Sequence, residues 1–383
     1  MSRNSTPTGD EAQRGRRIDR RRFLAATGSL FGAAATAGCL SELGFEEESA
    51  RAPPLVEDRP GAVYHPTHSE AMKMVGMAEA GPYRVALSYA FPHRFWTVEG
   101  EDTSKVTVGR DDSVHLMTSV WHAETGVVAP TVEPSVKISR DGGVVESKPP
   151  WQMLSQPMGF HFGDNFQLPE SDTYDVDVSL PPPTSTRTGS LDGDLGESAS
   201  ASFDLEFDPE TVRSLEFTQF DDEAGTRAAL DPMGMMAVKK SQLPPIENLP
   251  GRSAGELEMG DGVFAVRVLD APPAGFEDES DASGEASDAG GSYLAVSART
   301  PYNRYPLALM SLSATLEGPD GTRFDDQLTE TLHPDLGYHY GAAVEEIGSG
   351  DSLTLTVDSP PGAARHEGYE TAFFGMGSVT VEV

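Results

Sequence analysis

The stretch Pro157-Met158-Gly159-Phe160-His161-Phe162-Gly163-Asp164-Asn165 has a second copy, Asp335-Leu336-Gly337-Tyr338-His339-Tyr340-Gly341-Ala342-Ala343. Both contain Gly-aromatic-His-aromatic-Gly, and the offset between the histidines, 339 minus 161, is 178 residues. Each copy leads into an acidic turn, an alternating run and prolines. The first reads Ser171-Asp172-Thr173-Tyr174-Asp175-Val176-Asp177-Val178 before Pro181-Pro182-Pro183, the second Gly350-Asp351-Ser352-Leu353-Thr354-Leu355-Thr356-Val357 before Pro360-Pro361. Upstream, Ser119-Val120-Trp121-His122 lies over Ser297-Ala298-Arg299-Thr300, and Ser135-Val136-Lys137-Ile138 over Ser313-Ala314-Thr315-Leu316. Self-similarity at a fixed period marks duplicated units, and a period of this length predicts two tandem copies of one domain.

Each copy reads as a β-sandwich. Candidate strands in the first are Tyr83–Tyr89, Ser113–Val120, Ser135–Ser139, Tyr174–Leu180 and Ala201–Phe207; the second repeats the plan at Val263–Leu269, Ser292–Arg299, Ser311–Leu316, Ser352–Asp358 and Gly377–Val383. Ala201-Ser202-Phe203-Asp204-Leu205-Glu206-Phe207 alternates with period two, as a half-buried strand requires. Asp141-Gly142 and Asp320-Gly321 are hairpin signals. Short strands with few helices predict an all-β fold of two tandem immunoglobulin-like β-sandwich domains. The expected boundaries are a signal over 1–39, a tether over 40–60, a first sandwich over 61–208, a connector over 209–258 and a second sandwich over 259–383. The connector holds one candidate helix, Asp221–Leu230, and the acidic small-residue loop 277–291 is expected to be disordered.

Composition narrows the function. The 383 residues carry a formal net charge of -33, which repels nucleic acid. Such an acidic excess resembles proteins of salt-adapted archaea, in which salt screens self-repulsion. Arg20-Arg21-Arg22-Phe23-Leu24 is a twin-arginine signature, so Arg20 and Arg21 are the expected export signal. The apolar run that follows is too short to span a bilayer and ends at Thr36-Ala37-Gly38-Cys39, which resembles a lipobox. Cys39, the single cysteine, is therefore the expected lipid anchor on the extracytoplasmic face.

No nucleophile elbow, phosphate loop or HExxH stands out, so no enzymatic activity is expected. Six of the nine histidines fall in the first domain: His65, His68, His93, His115, His122 and His161. Met72, Met74, Met77, Met117, Met153 and Met158 lie among them. Imidazole with thioether suits copper, and imidazole also serves iron and zinc. His115 and Met117, two apart on a strand, share a face. The plainer readings are methionines that only pack and a His161 that braces its loop.

The same residues resemble the periplasmic iron-transport accessory family, immunoglobulin-like proteins that bind copper and iron and often dimerise. Its Asp-Gly-Pro-His-Tyr-Gly-Ala-Asn motif is similar to residues 335–342 and 159–165, and its His-Leu-Glu strand to His115-Leu116-Met117, with Met117 where the family has Glu. A methionine ahead of the motif histidine corresponds to Met153. A histidine after Pro-Pro-Gly corresponds to His366, for which the first copy offers only Arg187. The resemblance implies a metal site drawn from His115, Met117, Met153, His161, His339 and His366. Neither copy holds the whole set, since Tyr293 stands at the place of His115 in the second. Three arrangements follow. The first domain borrows His65, His68 or His93; the two domains share one site as an internal pseudo-dimer, or as a homo-dimer; or the second copy is structural. The expectation is an anchored protein that binds a copper or iron ion and assists a membrane iron permease. The alternatives are a metal-free surface scaffold or adhesion module and, more distantly, copper-dependent redox activity on iron.

Overall fold

Alternation dictates most of this architecture. Along Ala199–Phe207, Ala201, Phe203, Leu205 and Phe207 are buried while the residues between them are exposed. Its partner Asp172–Leu180 alternates in the same way, with Tyr174, Val176, Val178 and Leu180 inward. Such strands cover one side of a sandwich and leave the other to solvent. The computed structural model describes residues 52–276 and 291–383, and its fold is all-β. Among these residues the α-helices are the short Pro209–Arg213 and Met236–Ser241, and no helix is long and apolar enough to cross a membrane. Cys39, Arg20, Arg21 and nearly all of the loop 277–291 lie outside the described residues.

Two pairs of sheets carry the chain. In the first pair, a four-stranded sheet orders Ala199–Phe207, Asp172–Leu180, Ser135–Arg140 and Gly143–Lys148. It accompanies an eight-stranded sheet whose centre is Tyr83–Ala90, Val114–His122, Gly159–Phe166 and Trp151–Ser155. In the second pair, the four-stranded sheet orders Gly321–Gln327, Ser311–Gly318, Ser352–Ser359 and Ser378–Glu382. Its companion is a six-stranded sheet centred on Thr329–His333, Gly337–Val344, Ser292–Arg299 and Gly262–Leu269. Register repeats at the sequence offset: His161 pairs with Met153, and His339 with Thr331.

The sheets also trade strands. Ala364–Arg365, late in the chain, inserts into the eight-stranded sheet between Trp151–Ser155 and Phe95–Glu99, with Ala364 opposite Met153. Thr186–Arg187, from the first half, joins the six-stranded sheet, with Thr186 opposite Thr331. Both insertions follow a proline run, and 364 minus 186 is again 178. Proline cannot continue a ladder, so each run releases the chain from one sheet before it enters the other.

Two expectations change on contact with the structure. Asp221–Leu230 is a series of turns, not a helix. Gly225 stands at φ 82°, and the backbone at Gly225 and Thr226 bonds His65 instead of an ongoing helical ladder. Within the segment read as a tether, residues 53–60 lie against the body. Arg94 donates to the Pro53 carbonyl, Arg59 pairs with buried Glu370 at 2.9 Å, and Thr371 donates to the Pro60 carbonyl.

Candidate metal centre

The repeated motif sorts its residues by face. On Gly159–Phe166, Phe160, Phe162 and Phe166 enter the large apolar core between the sheets, and alternation turns His161 to the opposite face. Val114, Leu116 and Val120 enter the same core, which turns His115, Met117 and Trp121 outward. That outward face is nonetheless covered. Met236–Ser241 packs on it, Ala237 against Trp121 and Val238 against Met117, and Ser241 Oγ accepts from the Phe160 amide at 2.6 Å. The exchanged strand Ala364–Arg365 lies beside Met153 on the same sheet. The chemistry therefore sits on a sheet face that is buried without belonging to the sandwich core.

Four imidazoles and one thioether converge there. Ligand-capable nitrogens of His93, His115 and His366 all lie within 4.8 Å of one another. The His161 ring centroid is 5.4 Å from that of His366, and the His93 and His115 centroids are 4.0 Å apart. Gly163 marks the middle. A Cβ there would stand 2.8 Å from His115 Nε2, 3.0 Å from Met153 Sδ and 3.4 Å from His161 Cδ2. Glycine is required at this point to leave the donors room, not to relieve the backbone.

Three of the four rings are oriented by a bond from the other nitrogen. His161 Nδ1 donates to the Gly159 carbonyl at 3.0 Å, and His93 Nδ1 to the Phe91 carbonyl at 2.9 Å. Asn165 Nδ2 donates to the His93 carbonyl, which turns Asn165 Oδ1 to accept from His115 Nδ1 at 3.0 Å. Such bonds fix the tautomer that leaves Nε2 as a lone-pair donor. The Nε2 atoms of His93, His115, His161 and His366 are all buried without a hydrogen-bond partner. One unmet buried acceptor costs about 1–3 kcal/mol, so four in one place call for a shared partner. Burial also holds His161 down at about 4 and keeps His115 and His366 well below the usual histidine range, so these rings are neutral at pH 7. Neutral rings with free lone pairs beside a thioether fit a copper ion.

The remaining sequence candidates fall elsewhere. Met117 shares the covered face but packs with Met158 and Val238 beside the cluster. His65 packs edge-on against Phe220, and His122 is held by Thr125 and Asp194. His339 repeats the placement of His161, its Nδ1 donating to the Gly337 carbonyl at 3.1 Å, but its Nε2 bonds the Tyr293 hydroxyl at 2.9 Å. Tyr293 stands 178 residues after His115, Thr331 after Met153, and Thr188 the same distance before His366. The second location thus keeps one imidazole of the set and fills the donor space with a phenol that abuts Gly341. Sequence reasoning gave Asn165 no role; its place in the repeated motif was the available signal.

Residues 247–382 match the model of a domain of unknown function, DUF7350. No curated protein matches the chain. Among solved structures, FetP of uropathogenic E. coli aligns at 16% identity over 36% of this chain and 96% of its own, with a TM-score of 0.29. Copper-reconstituted P19 protein from Campylobacter jejuni aligns at 15% identity over 36% of this chain and 96% of its own, with a TM-score of 0.28.

Proposed function

We propose that this chain is a copper-binding protein of the extracytoplasmic membrane face, and that its two sandwiches form an internal pseudo-dimer sharing one site. The carrying observation is that His93, His115 and His366 bring ligand nitrogens within 4.8 Å of one another, with His161 and Met153 Sδ beside them around Gly163, that the Nε2 atoms of all four histidines are buried without partners, and that one of the four comes from the other half of the chain. His93, His115, His161, His366 and Met153 are the donor set. Copper stands highest among the common divalent ions for such ligands, and the thioether adds a preference for Cu(I). The twin-arginine pair and Cys39 support export and lipid anchoring. In this reading the protein hands iron or copper to a membrane permease.

Titration of the metal-free chain tests the site. One equivalent of Cu(II) should bind tightly, and His115→Ala or His366→Ala should weaken it at least a hundredfold. Equal, weak binding of copper and of iron by wild type and the His115→Ala/His161→Ala double variant would reject the metal reading in favour of a scaffold with braced loops. Cys39→Ser should release the protein from the membrane fraction; retention there would reject the lipid anchor.

A further inference from the structure

Beside the histidine cluster lies a cavity of about 90 Å³ whose walls include Glu70, Met72, Met117, Met158 and Met233. His93 and His366 line it too, so it adjoins the site described above. Its methionines come from separate parts of the chain: Met72 after the strand His68–Glu70, Met117 on Val114–His122, Met158 before the repeated motif and Met233 in the connector. Met233 is pinned by its amide, which donates to the Pro157 carbonyl at 2.9 Å. Four thioethers could simply pack, and packing would need no charge nearby.

Glu70 makes packing an insufficient account. Its side chain is 7% exposed, and neither carboxylate oxygen has a hydrogen-bond partner. The neighbouring His93 Nδ1, 3.6 Å away, already gives its proton to the Phe91 carbonyl. The cavity's guanidinium, Arg94, gives its Nη2 to Glu367 at 2.9 Å and to the Pro53 carbonyl, and its Nε has no hydrogen-bond partner, so it does not bond Glu70. His68 Nδ1 is bonded to Thr67 Oγ1 and lies 3.9 Å from Glu367. A buried carboxylate without donors or a counter-ion is costly, and a cation in the cavity would relieve it. Neutral thioethers select a soft ion, and a single negative charge balances a single positive one.

We infer that this cavity is a second cation subsite, specific for a soft monovalent ion such as Cu(I), with the methionine sulfurs as ligands and Glu70 as counter-charge. It extends the metal-binding reading above but stands on different side chains. Redox-inert Ag(I) is the probe, titrated into the full chain and counted by native mass spectrometry. Wild type should take two silver ions, and the His115→Ala/His161→Ala variant one. Met117→Leu/Met158→Leu should take one and still bind one Cu(II) at the histidines. Should those core positions fail to fold, Met72→Leu/Met233→Leu at the partly buried positions should show the same loss. Glu70→Gln should weaken the second silver at least tenfold. A single silver in wild type that both methionine variants retain, or two silvers in both methionine variants, would overturn the inference. Loss of Cu(II) binding alone, with one silver retained at the methionines, would instead remove the histidine reading and leave this one standing.

Discussion

Gly163 and Asn165 act on the proposed metal donors without being donors. A methyl group at Gly163 would intrude on His115 Nε2 and Met153 Sδ while the backbone stays in ordinary strand geometry. Gly163→Ala should therefore cost at least tenfold in Cu(II) affinity in a titration, with far-UV circular dichroism unchanged. His339 gives a pH test free of the metal. Burial pulls it down to about 3, whereas an unfolded histidine titrates near 6.5. Its folded pKa is depressed, so the unfolded chain takes up the proton first as pH falls. The stability it contributes is complete above about 6.5 and is lost progressively toward about 3. Urea unfolding of metal-free protein at pH 6.5 and 4.5 should show His339→Gln losing roughly 2 kcal/mol less than wild type. At this scale the sequence was partly legible. The fixed spacing of the repeat singled out His161, the family resemblance implied His115, Met153 and His366, and His93 was among the residues offered as borrowed ligands. Glu70 carried no signal, because its importance comes from having no partner in the fold.

The exchanged strand Ala364–Arg365 is the element on which the candidate site depends. Arg365 is buried, donating to the Ala372 and Pro361 carbonyls, with its guanidinium 4.2 Å from the Phe374 ring centre. The next amide, from His366, donates to the Leu154 carbonyl at 3.1 Å and sets that imidazole beside Met153. Arg365→Ala should unsettle both packing and ligand. Expected outcomes are a loss of about 2–4 kcal/mol in denaturant unfolding and a Cu(II) affinity at least tenfold weaker. The hairpins and alternating strands were legible because period-two burial is written in neighbouring residues. The exchange was not, since pairing between residues some two hundred positions apart leaves no local pattern. The proline runs that permit it were visible only as breaks.

Across the whole molecule, charge and topology set the conditions of stability. A formal charge of -33 repels itself wherever salt does not screen it. The melting temperature should rise steeply between millimolar and molar KCl, and a midpoint independent of salt would reject this account. Shared sheets also couple the halves, so calorimetry should give one transition rather than two. The exchanged strand has a last consequence, for the order in which the protein can be made. His115 must wait 251 residues, 366 minus 115, before its partner imidazole has been synthesised. A nascent chain paused before that point could build most of the eight-stranded sheet and still lack a ligand. The four-imidazole cluster is thereby completed only after translation of the second half, and a growing chain on the ribosome carries it incomplete.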